Sequence, residues 1–401
     1  MNTPRLEINL DKICHNASVL VARLKTSGIT VTGVTKGFLG APQIVRTMLQ
    51  GGVASLGDSR IENIEFMKRS GIDAQMILIR SPMISQADRV VASADISFNT
   101  EIEVLHALSI AAVKARKIHG VLLMVELGDL REGIMPPDVN GIIFKLRELP
   151  NISFMGLGAN LACRSGVSPD SRNMAKLSAL ADQFDPSDGK NVLVVSGGNS
   201  ANLDWISEGG NLGRINNLRL GEAILLGRET LNRNPIPGLF TDAISLIAEV
   251  IESKTKPAKP WGTLAQSAFN DVAGSTTNGN INQAIIAIGR QDIDPDGLQP
   301  GADLRVLSAS SDHLVVKTGD KKLAVGSNVS FQLNYSAFLR AMTSPHVARI
   351  FSGNDVKRLQ FQNCKHGTAQ LESHQLAQVD NRRSFMRPAN PTRSNQKDIH
   401  K

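Results

Sequence analysis

Three short stretches carry residue types that could act on one ligand. The first is Ile29-Thr-Val-Thr-Gly-Val-Thr-Lys36-Gly37, a β-branched run that ends in a lysine and a glycine. A lysine at such a strand end can bond covalently to a carbonyl compound as a Schiff base. The second is Ser196-Gly-Gly-Asn-Ser200. Its glycines let backbone N–H groups close on an anion, and a serine hydroxyl adds a donor. The third is Arg219-Leu-Gly-Glu222, a permanent cation beside another glycine. Each has a plainer reading: Lys36 as a solvated lysine, Ser-Gly-Gly as an ordinary turn, Arg219 as half of a surface ion pair. Their common placement favours a site. They follow the first, seventh and eighth of a series of strand-like runs. In a (β/α)8 barrel those ends meet at the mouth, and the loops after strands seven and eight often hold phosphate.

The elements that would position them are legible as a pattern. Residues 5–10 alternate as a strand, and Asp11 is expected to cap a helix whose apolar face is Ile13, Ala17, Leu20 and Leu24. The Lys36 strand follows, and Ala41-Pro42 opens a helix that Gly51-Gly52 closes. Further strands are predicted over 53–60, 74–80, 94–99, 120–127, 152–161, 191–196 and 217–220. Helical patterns lie between them, including 61–69 and, capped by Thr100, 101–116. Eight β-rich runs alternating with helices indicate a parallel barrel over residues 11–234, although an open doubly wound sheet would alternate in the same way. After Pro235 the pattern becomes all-β, with runs at 243–251, 284–288, 304–307, 313–317 and 328–333. A second, C-terminal β-domain is expected over 235–350, and the first strand could join it. Residues 352–401 are polar and read as a disordered tail.

Composition bounds the partners. The net charge of +7 sits mostly in that tail, where nine Lys/Arg face four Asp/Glu, so the body is close to neutral and shows no nucleic-acid surface. No apolar run reaches membrane-spanning length, and the start lacks a signal-peptide pattern. Cys14, Cys163 and Cys364 are scattered, which suits a reducing cytoplasm and argues against disulfides or a zinc site.

Several motifs extend over residues 5–350. They are Leu6-Glu-Ile-Asn-Leu-Asp-Lys-Ile-Cys-His-Asn16, Val34-Thr-Lys36, Asp58-Ser-Arg60, Leu127-Gly-Asp-Leu-Arg-Glu-Gly133 and Val195-Ser-Gly-Gly-Asn-Ser200. Asn217-Leu-Arg-Leu-Gly-Glu222, Leu226-Gly-Arg-Glu229, Ala287-Ile-Gly289 with Gln291-Asp292, and Ala309-Ser-Ser-Asp-His313 complete the set. In these the chain resembles the fold-type III pyridoxal 5'-phosphate (PLP) enzymes, the alanine racemase superfamily, and more closely its ornithine racemase branch. The resemblance implies a barrel plus C-terminal β-domain and a head-to-tail homodimer with shared active sites. It implies PLP on Lys36, Arg219 facing the pyridine nitrogen, and the phosphate held by Ser200, Gly221, the N–H of Glu222 and Tyr335. Arg131 matches an arginine near the phenolic oxygen, and Asn160 stands where alanine racemases carry a histidine. Tyr335, the only tyrosine, has a second reading as a core aromatic.

Two departures concern the second proton carrier that racemisation needs. Alanine racemases follow the lysine with a tyrosine-containing loop, where this chain has Lys36-Gly-Phe-Leu-Gly. They also take a tyrosine from the partner's β-domain, at a position that here falls on Arg290. His313, with Asp312 as base or substrate anchor, is the candidate replacement, against a reading of His313 as an interface histidine. Cys163 could be a thiol base or an inert cysteine. His15, His106, His119 and His346 are assigned to helices or linkers without metal-ligand spacing. The expected partner is a small-molecule substrate, an amino acid with a basic side chain such as ornithine, with Asp129, Glu222, Asp292 and Asp312 as acids near the mouth. The alternatives are an alanine or broad-specificity racemase, a related decarboxylase, a non-catalytic PLP-binding protein, or a barrel enzyme without PLP.

Overall fold

The structure, a computed structural model, describes residues 4–184, 194–269, 278–320 and 322–353. The predicted tail therefore lies outside the described residues, apart from its first two positions. Strand β1 (Arg5–Asn9) leads into α1 (Leu10–Lys25). The barrel strands are β2 (Thr30–Val34), β3 (Ser55–Asp58), β4 (Met76–Leu78), β5 (Ile96–Asn99), β6 (His119–Met124), β7 (Ile152–Gly158), β8 (Val194–Ser196) and β9 (Asn217–Leu220). Between and after them run α2 (Pro42–Gln50), α3 (Ile61–Arg69), α4 (Ala87–Ser93), α5 (Ile102–Ala115), α6 (Val139–Arg147), α7 (Ser171–Asp182), α8 (Asn202–Ser207) and α9 (Glu222–Leu226). All neighbouring strands from β2 to β9 pair in parallel and β9 returns to β2, so the sheet is closed and the open-sheet alternative falls.

Local chemistry explains most of the boundaries. In β1, Leu6 and Ile8 are buried and alternate with Glu7 and Asn9. Asn9, rather than Asp11, caps α1: its side-chain oxygen accepts from the Lys12 amide at 3.0 Å, and Asp11 lies in the first turn. The N-cap of α5 is Glu101, not Thr100, and no side chain bonds there. The buried face of α1 includes a polar residue, Asn16. It is satisfied by donating to the carbonyls of Ile224 and Phe240 and accepting from the Phe240 amide at 2.8 Å. Where β6 pairs with β7 the register shifts, and Gly156 adopts φ +147°. A Cβ there would stand 2.0 Å from the Val194 carbonyl oxygen, so only glycine fits.

The barrel interior is divided. Ile77, Ile96, Phe98, Leu122 and Met124, with Ile79, Met155 and Val194, fill the side formed by β4 to β8. Toward β2, β3, β8 and β9 the interior is polar, with Thr32, Ser55, Ser196, Asn217 and Arg219 all buried. The helix-facing layer is apolar around Val121, Leu123, Leu157 and Val195. His119 belongs to β6, not to a helix or linker as predicted. It is 1% exposed, shares a 2.8 Å bond with Ser97 Oγ, and burial pulls its pKa down to about 4.

The C-terminal sheet consists of β10 (Ile244–Pro257), β11 (Asn280–Ile286), β12 (Leu298–Pro300), β13 (Leu304–Ala309), β14 (Leu314–Thr318), β15 (Asn328–Leu333) and β16 (Ala348–Ser352), with α10 (Tyr335–Thr343) before the last strand. β1 inserts between β10, antiparallel, and β16, parallel. Ser352 pairs with Asn9, so the sheet continues into the first residue assigned to the tail.

Candidate active site

Lys36 sits just beyond β2, at the start of a tight turn over Lys36–Phe38. The turn is anchored from below. The amide of Thr35 donates to the Gly57 carbonyl at 2.9 Å, and its hydroxyl donates to Asp58 at 2.6 Å. Asp58 is fully buried and also accepts from the Arg60 amide and from Asn63 Nδ2. Burial lowers the Lys36 pKa. Cys163 opposes that shift, Arg131 and Arg219 reinforce it, and Asp58 opposes it. An amine held below its ordinary range is a better nucleophile and base at neutral pH.

Arg219 points into the barrel from β9 and is 4% exposed. Nη1 donates to Ser196 Oγ at 2.6 Å, Nη2 donates to the Ala159 carbonyl at 2.7 Å, and the guanidinium lies 5.1 Å from the centre of the Phe98 ring. Burial draws its pKa down to about 10, which leaves it charged at neutral pH. The surface-ion-pair reading of Arg219 does not survive this geometry.

A cavity of about 340 Å³ opens at the mouth. Lys36, Arg131, Asn160, Ser200, Arg219, Gly221, Glu222 and Tyr335 all line it. These are all the residues that the sequence placed around the cofactor. Tyr335 is the first residue of α10, and its ring stands 6.3 Å from that of Phe338. Burial, with Glu222 next, pushes its pKa up to about 12, so the phenol stays a hydrogen-bond donor. Burial also raises the pKa of Glu222, which is ion-paired with Arg233.

Four further polar residues line it: Cys163, weighed above only as a possible thiol base, and Asn199, Thr230 and Arg233, which the sequence did not single out. Asn199 Nδ2 donates to the Asn160 side chain at 3.1 Å and the Leu161 carbonyl at 2.9 Å. It stood in view inside Ser-Gly-Gly-Asn-Ser, a run read for its glycines and serines. Arg233 lies eleven residues past Glu222 and gave no periodic signal.

The other candidate residues lie elsewhere. His313 Nδ1 bonds to Asp312 at 2.8 Å, and both are exposed between β13 and β14, away from the cavity of their own chain. Arg290 donates to the Ala309 carbonyl and faces Phe269. Asp129 is not available to a substrate: its carboxylate accepts from the amides of Cys163, Arg164 and Ser165. Asp292 accepts from Ser344 Oγ. Among the described residues there is no group of three or more His, Cys, Asp or Glu placed to hold a metal. No described helix is long and apolar enough to cross a membrane.

The cavity fits a phosphorylated aldehyde. Arg131 is paired with Glu132 and Arg233 with Glu222, while buried Arg219 donates only to neutral oxygens, so the wall keeps an unneutralised cation and its field favours an anion. Two buried donors on its wall, Asn160 Nδ2 and Thr230 Oγ1, have no hydrogen-bond partner among the described residues. A closed eight-stranded barrel with a desolvated lysine, a buried guanidinium and an anion cradle at its mouth defines a lysine-centred barrel enzyme. The sequence family described as alanine racemase, N-terminal domain, matches residues 8–228. The chain belongs to that family. It is 35% identical over 350 residues to an ornithine racemase of Acetoanaerobium sticklandii, a match spanning 86% of this chain and 99% of the relative. It is 34% identical to a lysine racemase of Thermotoga maritima, over 87% of this chain and 98% of that one. The fold is shared with the alanine racemase of the D-cycloserine-producing Streptomyces lavendulae, at a TM-score of 0.67 and 18% identity, covering 88% of this chain and 98% of the other.

Proposed function

We propose that this chain interconverts the enantiomers of a basic amino acid, ornithine or lysine, with PLP held on Lys36. The observation that carries this reading is the meeting of a desolvated lysine and an anion cradle in one cavity. When bound, PLP withdraws electrons from the substrate's α-carbon and makes its proton labile. Ser200, Gly221, the Glu222 amide and Tyr335 would hold its phosphate. Arg219 would meet the ring nitrogen and, as a permanent donor, would keep that nitrogen unprotonated. Arg131 and Asn160 would bind the cofactor elsewhere on its ring. The Lys36 amine moves the proton at one face of the α-carbon.

The opposite face needs its own carrier. His313, oriented by Asp312, would reach the cavity only from a second copy of the chain, as in a head-to-tail homodimer. A competing candidate is Cys163, which lines the cavity of its own chain and lies on the loop after β7, far around the barrel from β2.

The relationship to ornithine and lysine racemases supports a basic substrate. One observation favours an alanine or broad-specificity enzyme instead. Of the four acids expected near the mouth, only Glu222 lines the cavity, and Arg233 neutralises it.

The test is spectroscopic and then stereochemical. Purified protein should absorb at about 420 nm, the range of a lysine-bound PLP, and the band should vanish on borohydride reduction and in Lys36→Ala. A panel of L-amino acids in D2O, followed for α-proton exchange and loss of optical rotation, should single out ornithine or lysine. Absence of the band, or exchange without inversion for every amino acid, would refute the reading.

A further inference from the structure

The polar half of the barrel interior is a connected column beneath Arg219. The guanidinium donates to Ser196 Oγ at 2.6 Å. Ser196 Oγ donates to Asn217 Oδ1 at 2.6 Å. Asn217 Nδ2 donates to Thr32 Oγ1 at 3.0 Å and to Thr30 Oγ1 at 3.2 Å. Thr32 and Ser55 share a 2.8 Å hydroxyl bond. Ser196, Asn217, Thr32 and Ser55 are each less than a tenth exposed.

The upper bonds of the column run one way when every buried hydroxyl hydrogen is satisfied. Arginine has no acceptor, so Ser196 must accept from it and pass its own hydrogen to Asn217. That fixes the Asn217 amide with its oxygen toward Ser196 and its NH2 toward Thr32. Each dipole then turns its negative end toward the guanidinium. The hydrogen-bond acceptors recorded for Arg219 are all neutral: Ser196 Oγ and carbonyl, the Ala159 carbonyl and Asn160 Oδ1. A buried cation held without a carboxylate depends on such oriented dipoles for its charge and its angle. If the Ser196 hydroxyl is removed, Nη1 keeps only the Ser196 carbonyl at 3.3 Å, while Nη2 stays on the Ala159 carbonyl at 2.7 Å and Asn160 Oδ1 at 3.3 Å. The guanidinium is then free to pivot about Nη2.

We propose that Ser196 and Asn217 are positioning residues that aim Arg219 at the cofactor's ring nitrogen. This rests on the PLP reading above. The column ties β9, which bears Arg219, to β2, just beyond which lies Lys36, four residues after Thr32. The two groups that meet opposite ends of one ligand are thereby held in a common register.

The test is a binding cycle that needs no turnover. Apoprotein is titrated with PLP and with the deaza analogue in which the ring nitrogen is replaced by C–H. In the wild type the analogue should bind roughly tenfold more weakly, the cost of one charge-assisted hydrogen bond. In Ser196→Ala that preference should collapse toward one. Asn217→Leu, which takes away the acceptor of Ser196, should lower it partway, and Ser196→Thr, which keeps the hydroxyl, should restore it. Ser97→Ala is the control, because that buried serine bonds to His119 and Asn99 in the helix-facing layer, outside the column. It should keep the wild-type preference, whatever it costs in stability. Retention of the preference in Ser196→Ala, or an equal loss in Ser97→Ala, would overturn the inference. A wild type that binds PLP but shows no preference would instead overturn the placing of Arg219 on the ring nitrogen. A wild type that takes up neither compound would overturn the PLP reading itself.

Discussion

Replacing Tyr335 with phenylalanine isolates a single hydroxyl. Asn334 caps the helix that Tyr335 begins, accepting from the Ala337 amide at 2.9 Å, and this cap does not involve the tyrosine side chain. The ring packs beside Phe338 and close to Gly37, where an added Cβ would lie 3.4 Å from the phenol oxygen. Phenylalanine keeps that packing and loses only the O–H. With its pKa near 12, the phenol remains a donor through the neutral and moderately alkaline range. A hydrogen bond to a charged acceptor is worth about 1.5–3 kcal/mol, which corresponds to a loss of roughly ten- to 150-fold in PLP affinity. The assay is to strip the cofactor with hydroxylamine, titrate it back, and follow the band at about 420 nm. Pyridoxal, which lacks the phosphate, is the matched control and should bind wild type and variant alike. Equal weakening of both compounds would show that the variant had disturbed the cavity as a whole. Unchanged PLP binding would remove Tyr335 from the phosphate site.

Other perturbations test separate parts of the account. In D2O, His313→Gln is expected to keep α-proton exchange of one enantiomer while inversion falls by about 10²–10⁴-fold, the usual loss of a general acid or base. That pattern in Cys163→Ala, with His313→Gln unaffected, would transfer the role to Cys163. His119 should make the fold acid-sensitive. Its folded pKa of about 4 lies below the unfolded value of 6.5, so its neutral form contributes fully above pH 6.5 and the contribution is lost as pH falls toward 4. Between pH 7 and 5 the loss is about 2 kcal/mol. It should appear as a drop in the urea midpoint that is absent from His119→Asn, and parallel curves for the two proteins would count against it. Gly198→Ala should weaken PLP binding about tenfold or more by distorting the phosphate loop. The residue has φ +153°, and a Cβ would stand 2.0 Å from Asn202 Oδ1. Titration of the stripped variant measures the effect, and wild-type affinity would contradict it.

The parts of the fold visible in the sequence were those where one local signal dominated. The helix Ile61–Arg69 and the strands Asn217–Leu220 and Asn328–Leu333 fall where periodicity and flanking polar residues put them. Lys36, Ser200 and Gly221 were visible because each follows a strand or sits in a glycine turn, whereas Arg131, Asn160 and Tyr335 came only from the family resemblance; closure of the barrel brings all of them to one cavity. The misses have physical causes. β16 escaped because only Ile350 and Phe351 in it are large and apolar; its partner is β1, more than three hundred residues earlier. α10 is short and follows β15 after a single residue, so its amphipathic face merged with the strand signal. The column under Arg219 was hidden because Thr30, Thr32, Asn217 and Arg219 alternate as an ordinary solvent-facing edge would. Whether a polar stripe faces water or a hydrogen-bonded interior is decided only when the sheet closes. Asp129 looked like a substrate acid for a related reason, since the three amides it accepts from belong to a loop thirty-four to thirty-six residues away.

The placement of β1 bears on how the polypeptide matures during translation. β1 leaves the ribosome before either strand it pairs with, β10 or β16, so its hydrogen-bonding edges wait until both have been synthesised. The barrel segments that follow it can assemble in the meantime. Through that interval β1 lacks its native partners, and the sheet is stapled only after β16 has followed. A change that deletes or blocks β1 would therefore act late in biogenesis, on the joining of the sheet rather than on the closure of the barrel.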